Sequence, residues 1–515
     1  MHSAIYERLN TKWKEACKIL FREEVGNLRV YEGWLSECIE PVSVQKSQIP
    51  GKEVVAVGDY RGSKLISFAD IDFFRKYPPL SINDIKDIDS IIRAARERAE
   101  YAGNIVLGNS SNAESSTGIE DCSNILSSHT YNSSQDVAFS TLGRVDESVF
   151  GCVLVGQSSF SIKTVLGRHL ARTLESSYAL ECSDIYFSHQ MRGCSECMFS
   201  FNLRGKRHVI GNVQLPQDKY QSIKKKLLPE LADELKKNKR LRPLRDFIPR
   251  EPPQAARPAP QSPVHMPQAA PDLKMVEDAF QKTTDLIFGR KLQGISSFGP
   301  YLSRHTRCDP KARGMALNKL FPEGKRTVSL EEHGSYSHPQ AWPEALDIGS
   351  FGLSNVGTLI SPIAFFCPDI QEQSSNMVEC SNFTNSYHCF HSSNLYFVKF
   401  AAYSFWPRDC EHVFGCDSLR TSSFCINCYN SFKLSRCFEV DTSQDCTGSY
   451  FLHNCENVHD SMFCFNVKNK RYAIGNAEVG KEKFFEAKKA LQLWLLSQLE
   501  KKGSVDLDIY NINKK

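Results

Sequence analysis

The chain lacks the features by which most protein classes declare themselves. No apolar stretch in its 515 residues approaches the roughly twenty residues that a membrane span needs, and the segment from Met1 to Glu15 is too polar to read as a secretory signal. The expectation is a protein off the membrane, cytoplasmic or held inside a cytoplasmic particle or virion. Catalytic signatures are missing as well: there is no Walker loop, no dinucleotide fingerprint, no Gly-x-Ser-x-Gly elbow and no His-Glu-x-x-His. A net charge of +4 gives no overall pull toward nucleic acid or acidic surfaces. Nineteen cysteines would suit a secreted disulfide scaffold, but a long chain without an export signal has no need of that framework. Cysteine therefore reads as a small core residue in a reduced ladder.

One absence is positional. Every sixth residue from Ala113 to Leu215, and again from Met377 to Val479, is free of Asp, Glu, Lys, Arg, Asn, Gln and His. The first run passes through Val149 and Ile185, the second through Val413 and Cys455, and the second is the first displaced by 264 positions. The copying is plainest where Cys182 to Asn212 aligns with Cys446 to Asn476 without a gap. It extends to the segments ahead of each run: Ile19-Leu20-Phe21 and Trp34-Leu35 have counterparts in Leu286-Ile287-Phe288 and Tyr301-Leu302, and Gly51-Lys52 in Gly324-Lys325.

A six-residue spacing fits neither the helical period of 3.6 nor simple strand alternation. It fits a polygonal coil of strands, in which three faces of about six residues make a rung of about eighteen. Cys410, Cys428, Cys446 and Cys464 stand eighteen apart, as that rung predicts. The spacing resembles the hexapeptide class of left-handed β-helix, although the glycine that often follows its aliphatic site is mostly absent, so handedness is left open. The expected fold is mainly β: two tandem parallel β-helices of about eighteen residues per rung, each with a small α/β amino-terminal segment and a carboxy-terminal capping helix. The layout reads as an α/β segment over 1–80, a first β-helix over 81–217 and a capping helix with basic tail over 218–250. A Pro-rich linker follows over 251–271, then an α/β segment over 272–345, a second β-helix over 346–480 and a capping helix with tail over 481–515. The caps are placed at Asp218 to Lys237 and Glu482 to Lys501, with Leu227, Leu231 and Leu235 matching Leu491, Leu495 and Leu499.

Three constellations could carry chemistry. The histidine kept in both copies is His189 with His453; acyltransferases of the hexapeptide class use a histidine as general base between coils, and related hydratases hold zinc through histidines. Against this, neither copy offers a carboxylate partner in its neighbourhood or an extended substrate loop, and a hydrogen-bonded rung histidine is the plainer reading. Cys194 with Cys197, and Cys425 with Cys428, are Cys-x-x-Cys pairs whose four thiolates would suit zinc, but Cys197 and Cys425 fall on inward sites and the pairs occupy different rungs. No cofactor is expected, zinc being the alternative. Lys236, Lys237, Lys239, Arg240, Arg242 and Arg245 lie in a basic run that is either a solvated face or a grip on an acidic partner or nucleic acid.

The closing pattern Cys-Ser-Glu-Cys-Met-Phe-Ser-Phe-Asn-Leu-Arg-Gly-Lys-Arg-His-Val-Ile-Gly-Asn, residues 194 to 212, resembles a poorly characterised group of cysteine- and serine-rich repeat proteins from archaea and uncultivated bacteria. That resemblance covers roughly residues 180 to 240 and 444 to 502 and implies no particular activity. The preferred expectation is a non-enzymatic structural or assembly protein that presents rigid solenoid faces to itself or to other proteins. The alternatives are a hexapeptide-type transferase or zinc hydratase at a solenoid interface, and a nucleic-acid-associated protein.

Overall fold

The computed structural model describes residues 3–40, 42–58, 60, 62–248, 273–307, 326, 342, 349–366 and 371–514. The Pro-rich segment 251–271 and Gly324-Lys325 lie outside the described residues. The fold is mainly β, built on two large parallel sheets, one of 17 strands and one of 12.

Register corrects the expected rung. Val137 is paired with Val149 and Ile125, and Ile185 with Thr173 and Cys197, so strands stack on the residue twelve positions away, not eighteen. The second sheet keeps the same step, with Cys425 opposite both Val413 and Cys437. Backbone conformation explains the shorter repeat. Every third residue from Asn112 to Gly211, and from Gln373 to Gly475, has a left-handed φ, whatever its side chain: Asn124 at +57°, Phe139 at +52°, Leu142 at +62°, Val145 at +58°. A left-handed non-glycine residue costs roughly 1–2 kcal/mol, and here most of the every-third positions carry one. Each bends the chain, and four of them fit in one twelve-residue tier.

The true inward period is therefore three, and the sixfold pattern sees only alternate inward sites. Those sites are buried as expected, with Val149, Ile185 and Val413 at 0% exposure and Cys455 at 2%. The sites between them are mostly Ser, Cys and Thr, and they form a hydrogen-bonded ladder. Ser116 Oγ accepts from Ser128 N (3.1 Å), Ser128 Oγ from Ser140 N (3.0 Å), Ser140 Oγ from Cys152 N (3.0 Å) and Cys152 Sγ from Thr164 N (3.3 Å). Each hydroxyl in turn donates to a carbonyl two residues back, as Ser128 does to Leu126 O (2.8 Å). The second copy repeats this from Ser392 through Ser404 to Cys416. A corner N–H that meets no strand partner is thus satisfied by a small side chain from the tier before. The eighteen-residue cysteine spacing has the same origin: one and a half tiers carries a cysteine from one inward column to another.

The last tier is closed. Asn212 offers Oδ1 to Phe201 N (2.8 Å) and Nδ2 to Phe201 O (2.9 Å), as a further strand would; Asn476 does the same for Phe465. A short antiparallel pairing follows in each copy, then the helices Gln217–Asn238 and Lys481–Lys502, close to the expected bounds. Leu227, Leu231, Leu235, Leu491 and Leu495 are all fully buried. Lys224 lies over the Tyr186 ring (4.8 Å) and Lys488 over the Tyr450 ring (5.3 Å), a pairing kept in both copies.

A second helix covers one outer face of each sheet. Ala4–Phe21 packs on the column Leu126, Ala138, Phe150, Ile162 and Leu174, and Lys274–Phe288 on Phe390, Ala402, Phe414, Ile426 and Phe438. The chain after each helix presses so closely on its sheet that only glycine fits: a Cβ on Gly151 would stand 3.0 Å from Leu35 O, and one on Gly415 would stand 2.6 Å from Leu302 O.

The described residues form two compact units, one drawn from 1–44, 104–264 and 317–368, the other from 45–103, 265–316 and 369–515. Each unit therefore contains chain from both copies. In the first, Asn202 Nδ2 donates to Phe365 O (3.0 Å) and Leu353 N to Glu230 Oε2 (2.8 Å). In the second, Asn466 Nδ2 donates to Glu100 O, Arg98 Nη1 to Gly475 O and Asn513 Nδ2 to Ala99 O, each at 2.8 Å. Residues 81–103, read from sequence as the start of the first repeat region, instead hold the helix Ile88–Arg98 and a strand Tyr101–Gly103 paired with Leu65–Ser67. The parallel sheets open at Val106 and Gln371.

Candidate functional site: the histidine network

Asp441 and His453 are in-register neighbours on adjacent tiers of the second sheet, which places their side chains together. His453 Nδ1 lies 2.9 Å from Asp441 Oδ2, and Ala102 N donates to Nε2 at 2.9 Å. Since Nε2 accepts, the ring proton belongs on Nδ1 and is given to the carboxylate. Asp441 also accepts from Tyr60 Oη, from Asn430 Nδ2 (3.1 Å) and from Tyr510 Oη (3.3 Å). Burial pushes this carboxyl up, but the hydrogen bonds from His453, Tyr60 and Asn430 outweigh it and hold Asp441 below the usual aspartate range.

Two residues earlier, Glu439 is fully buried and receives Arg304 Nη2 (2.6 Å), Asn427 Nδ2 (2.9 Å) and Ile509 N (2.9 Å). Asp508 completes the set, 3.1 Å from His305 Nε2. Burial raises Glu439 in spite of Arg304, whereas Asp508 is desolvated yet held low by His305 and Arg304. In the first copy His189 meets a hydroxyl instead, Ser177 Oγ at 2.8 Å, between the rings of Tyr178 (5.4 Å) and Phe366 (5.0 Å).

The carboxylate partner that the neighbourhood of His453 lacks in sequence is therefore present twelve residues upstream. Only the twelve-residue repeat could have pointed to Asp441, and nothing in sequence pointed to Tyr60, Arg304 or Tyr510. An aspartate–histidine pair is the geometry of a general base, but this one has no free lone pair to offer. His453 and Asp441 are both 0% exposed and Nε2 is already occupied by a backbone amide. What the pair does is anchor Ala102 and, through Tyr60 and Tyr510, the chain around them.

Comparison with protein-family models, curated proteins and solved structures found no match to this chain.

The cysteine pairs sit inside their own sheets in separate units. Cys194 Sγ donates to Leu203 O (3.4 Å) and accepts from Lys206 N (3.5 Å), and Cys428 Sγ donates to Cys437 O (3.5 Å). Burial pushes the Cys428 thiol far up and the Cys152 thiol to about 12, which opposes the thiolate a metal requires. Among the described residues no group of three or more His, Cys, Asp or Glu is arranged to hold a metal ion.

Four of the six basic residues face carboxylates: Lys236 with Glu23, Arg240 with Glu37 (3.4 Å), Arg242 with Glu234 (3.2 Å) and Arg245 with Asp246 (3.7 Å). Lys239 Nζ donates to Lys236 O (2.6 Å). Much of the run's charge is thus met within its own unit. Among the described residues no helix is long and apolar enough to cross a membrane.

Proposed function

We propose that the chain is a non-enzymatic structural or assembly protein in which each parallel sheet winds as a β-helix, giving two rigid prisms in tandem that present flat faces to copies of themselves or to other proteins. The observation that carries this reading is continuity. The left-handed residue recurs at every third position from Asn112 to Gly211 and from Gln373 to Gly475 without one break. A tier that carried a substrate-binding loop would interrupt that count. Enzymes on β-helical scaffolds take their specificity from loops and from side chains left open to solvent, whereas the two histidines that invited a catalytic reading are sealed. A coil in which every tier touches only its neighbours stays straight and stiff over its length, which suits a spacer or a building block.

Light scattering on the purified chain across a hundredfold concentration range, with negative-stain images of the same samples, tests the reading. Ordered assemblies with a repeating spacing support it. A monodisperse monomer throughout, together with turnover of an acyl donor that is lost in His453→Ala, overturns it.

A further inference from the structure

The two ends of the first sheet are built differently. Its last tier is closed by Asn212, an antiparallel strand and a helix, but its first tier has nothing stacked on its outer edge among the described residues. Among the described residues Ser111–Glu114 is in register with Ser123–Leu126, and Val106–Leu107 with Thr117–Glu120. Ser111, Asn112 and Ser115 are exposed there, and Val106 and Ala113, inward residues of the first tier, are only half covered. An unfinished edge of this kind is a template for one more strand.

Charge says what kind of strand. The chain carries 63 lysines and arginines, yet none lies between Arg98 and Arg144, while Glu114, Glu120 and Asp121 all do; Asp136, farther along, is buried and met by Arg8 (3.1 Å). The second copy repeats the vacancy, with no lysine or arginine between Arg326 and Lys399. Pairing the opening tiers of two copies would bring acidic residues face to face, which disfavours a second copy as the occupant.

From the open edge and its charge we infer that the tier Val106–Glu114 is a docking edge for an extended, lysine- or arginine-rich segment of another protein, which adds to the sheet as a strand. Backbone hydrogen bonds would supply the pairing and Glu114, with Glu120 and Asp121 of the tier beneath, the selection of positive side chains. This rests on the assembly reading above and gives it a heterologous partner.

The test uses the full chain and two blocked, fluorescein-labelled eight-residue peptides, one alternating lysine with valine and one alternating glutamate with valine. Anisotropy is read at low and high salt, and amide exchange is mapped on the complex. The inference requires that the lysine peptide bind at least about tenfold more tightly than the glutamate peptide. It also requires that salt weaken this binding, that amides in Val106–Glu114 slow on binding, and that Glu114→Lys reverse part of the preference with an unchanged circular dichroism spectrum. Equal binding of both peptides, no binding, or binding without protection at this edge overturns it. Light scattering of the chain alone is a separate readout: assemblies that form while the peptide fails sink this inference and leave the assembly reading standing.

Discussion

Ser404→Ala removes one rung of the side-chain ladder and little else. Ser404 Oγ stands within donating distance of Ala402 O (3.0 Å) and Val413 O (3.3 Å) and accepts from Cys416 N (3.1 Å). Ala402 O keeps a second donor, Gly415 N at 2.9 Å, so the loss falls on the Cys416 amide, which is left buried without an acceptor. A buried donor stripped of its partner costs about 1–3 kcal/mol, and loss of a single hydroxyl from the core leaves too small a void to add much. Ser404→Cys keeps an acceptor of the kind that Cys152 already provides for Thr164 N at 3.3 Å, so it costs less than the alanine, under about 1 kcal/mol. Guanidinium unfolding followed by two probes, with the slope against denaturant checked for constancy, measures both. The expected order is wild type, then cysteine, then alanine. An alanine variant within about 0.5 kcal/mol of wild type would refute the claim that these side chains satisfy the tier corners.

Asp146 fills a ladder position between Ser134 and Ser158, is 2% exposed, and accepts Ser158 N (3.0 Å) and Arg144 N (3.1 Å), with no cation paired to it among the described residues. Burial pushes its pKa well up, so its folded form holds a proton longer than its unfolded form. Stability then falls as pH rises from about 4 through the folded value. Asp146→Ser is expected to flatten that slope and to stabilise more at pH 7 than at pH 5; a variant less stable at both contradicts the reasoning. Gly415→Ala forces a left-handed alanine at a position with φ of +66° and a Cβ 2.6 Å from Leu302 O, so it should cost more than the roughly 1–2 kcal/mol of backbone strain alone, measured by the same unfolding assay. A protease site placed in the full chain within 251–271 and cut should leave the two fragments eluting together, because each unit contains chain from both copies; separation under native conditions would contradict that sharing.

The mainly β class and the buried sixth positions are legible in the sequence, and the reason is physical. The inward sites at every sixth residue must be small or apolar, and they are, from Ile119 to Val209 and from Phe383 to Val467. The rung length is not legible because the other inward sites carry Ser116, Ser128, Ser134, Ser140 and their like, which resemble surface residues in sequence although they are buried and hydrogen-bonded. Left-handed valine, phenylalanine and leucine cannot be anticipated from propensity, since only the stacked tiers on either side hold them there. The capping helices were legible to within a residue because their leucines recur at helical spacing. The histidine was legible but its partner was not: Asp441 is twelve residues away along the chain, Ala102 is 351 away, and Tyr60 comes from the other copy's segment.

The most direct test of the account is an experimental density map of the first sheet. The account places the Cα of Gln135 about 4.8 Å from that of Glu147, with parallel strands and with Phe139, Leu142 and Val145 left-handed. A map that instead sets Gln135 beside Val153, eighteen residues on, or shows those three residues in extended conformation, contradicts it.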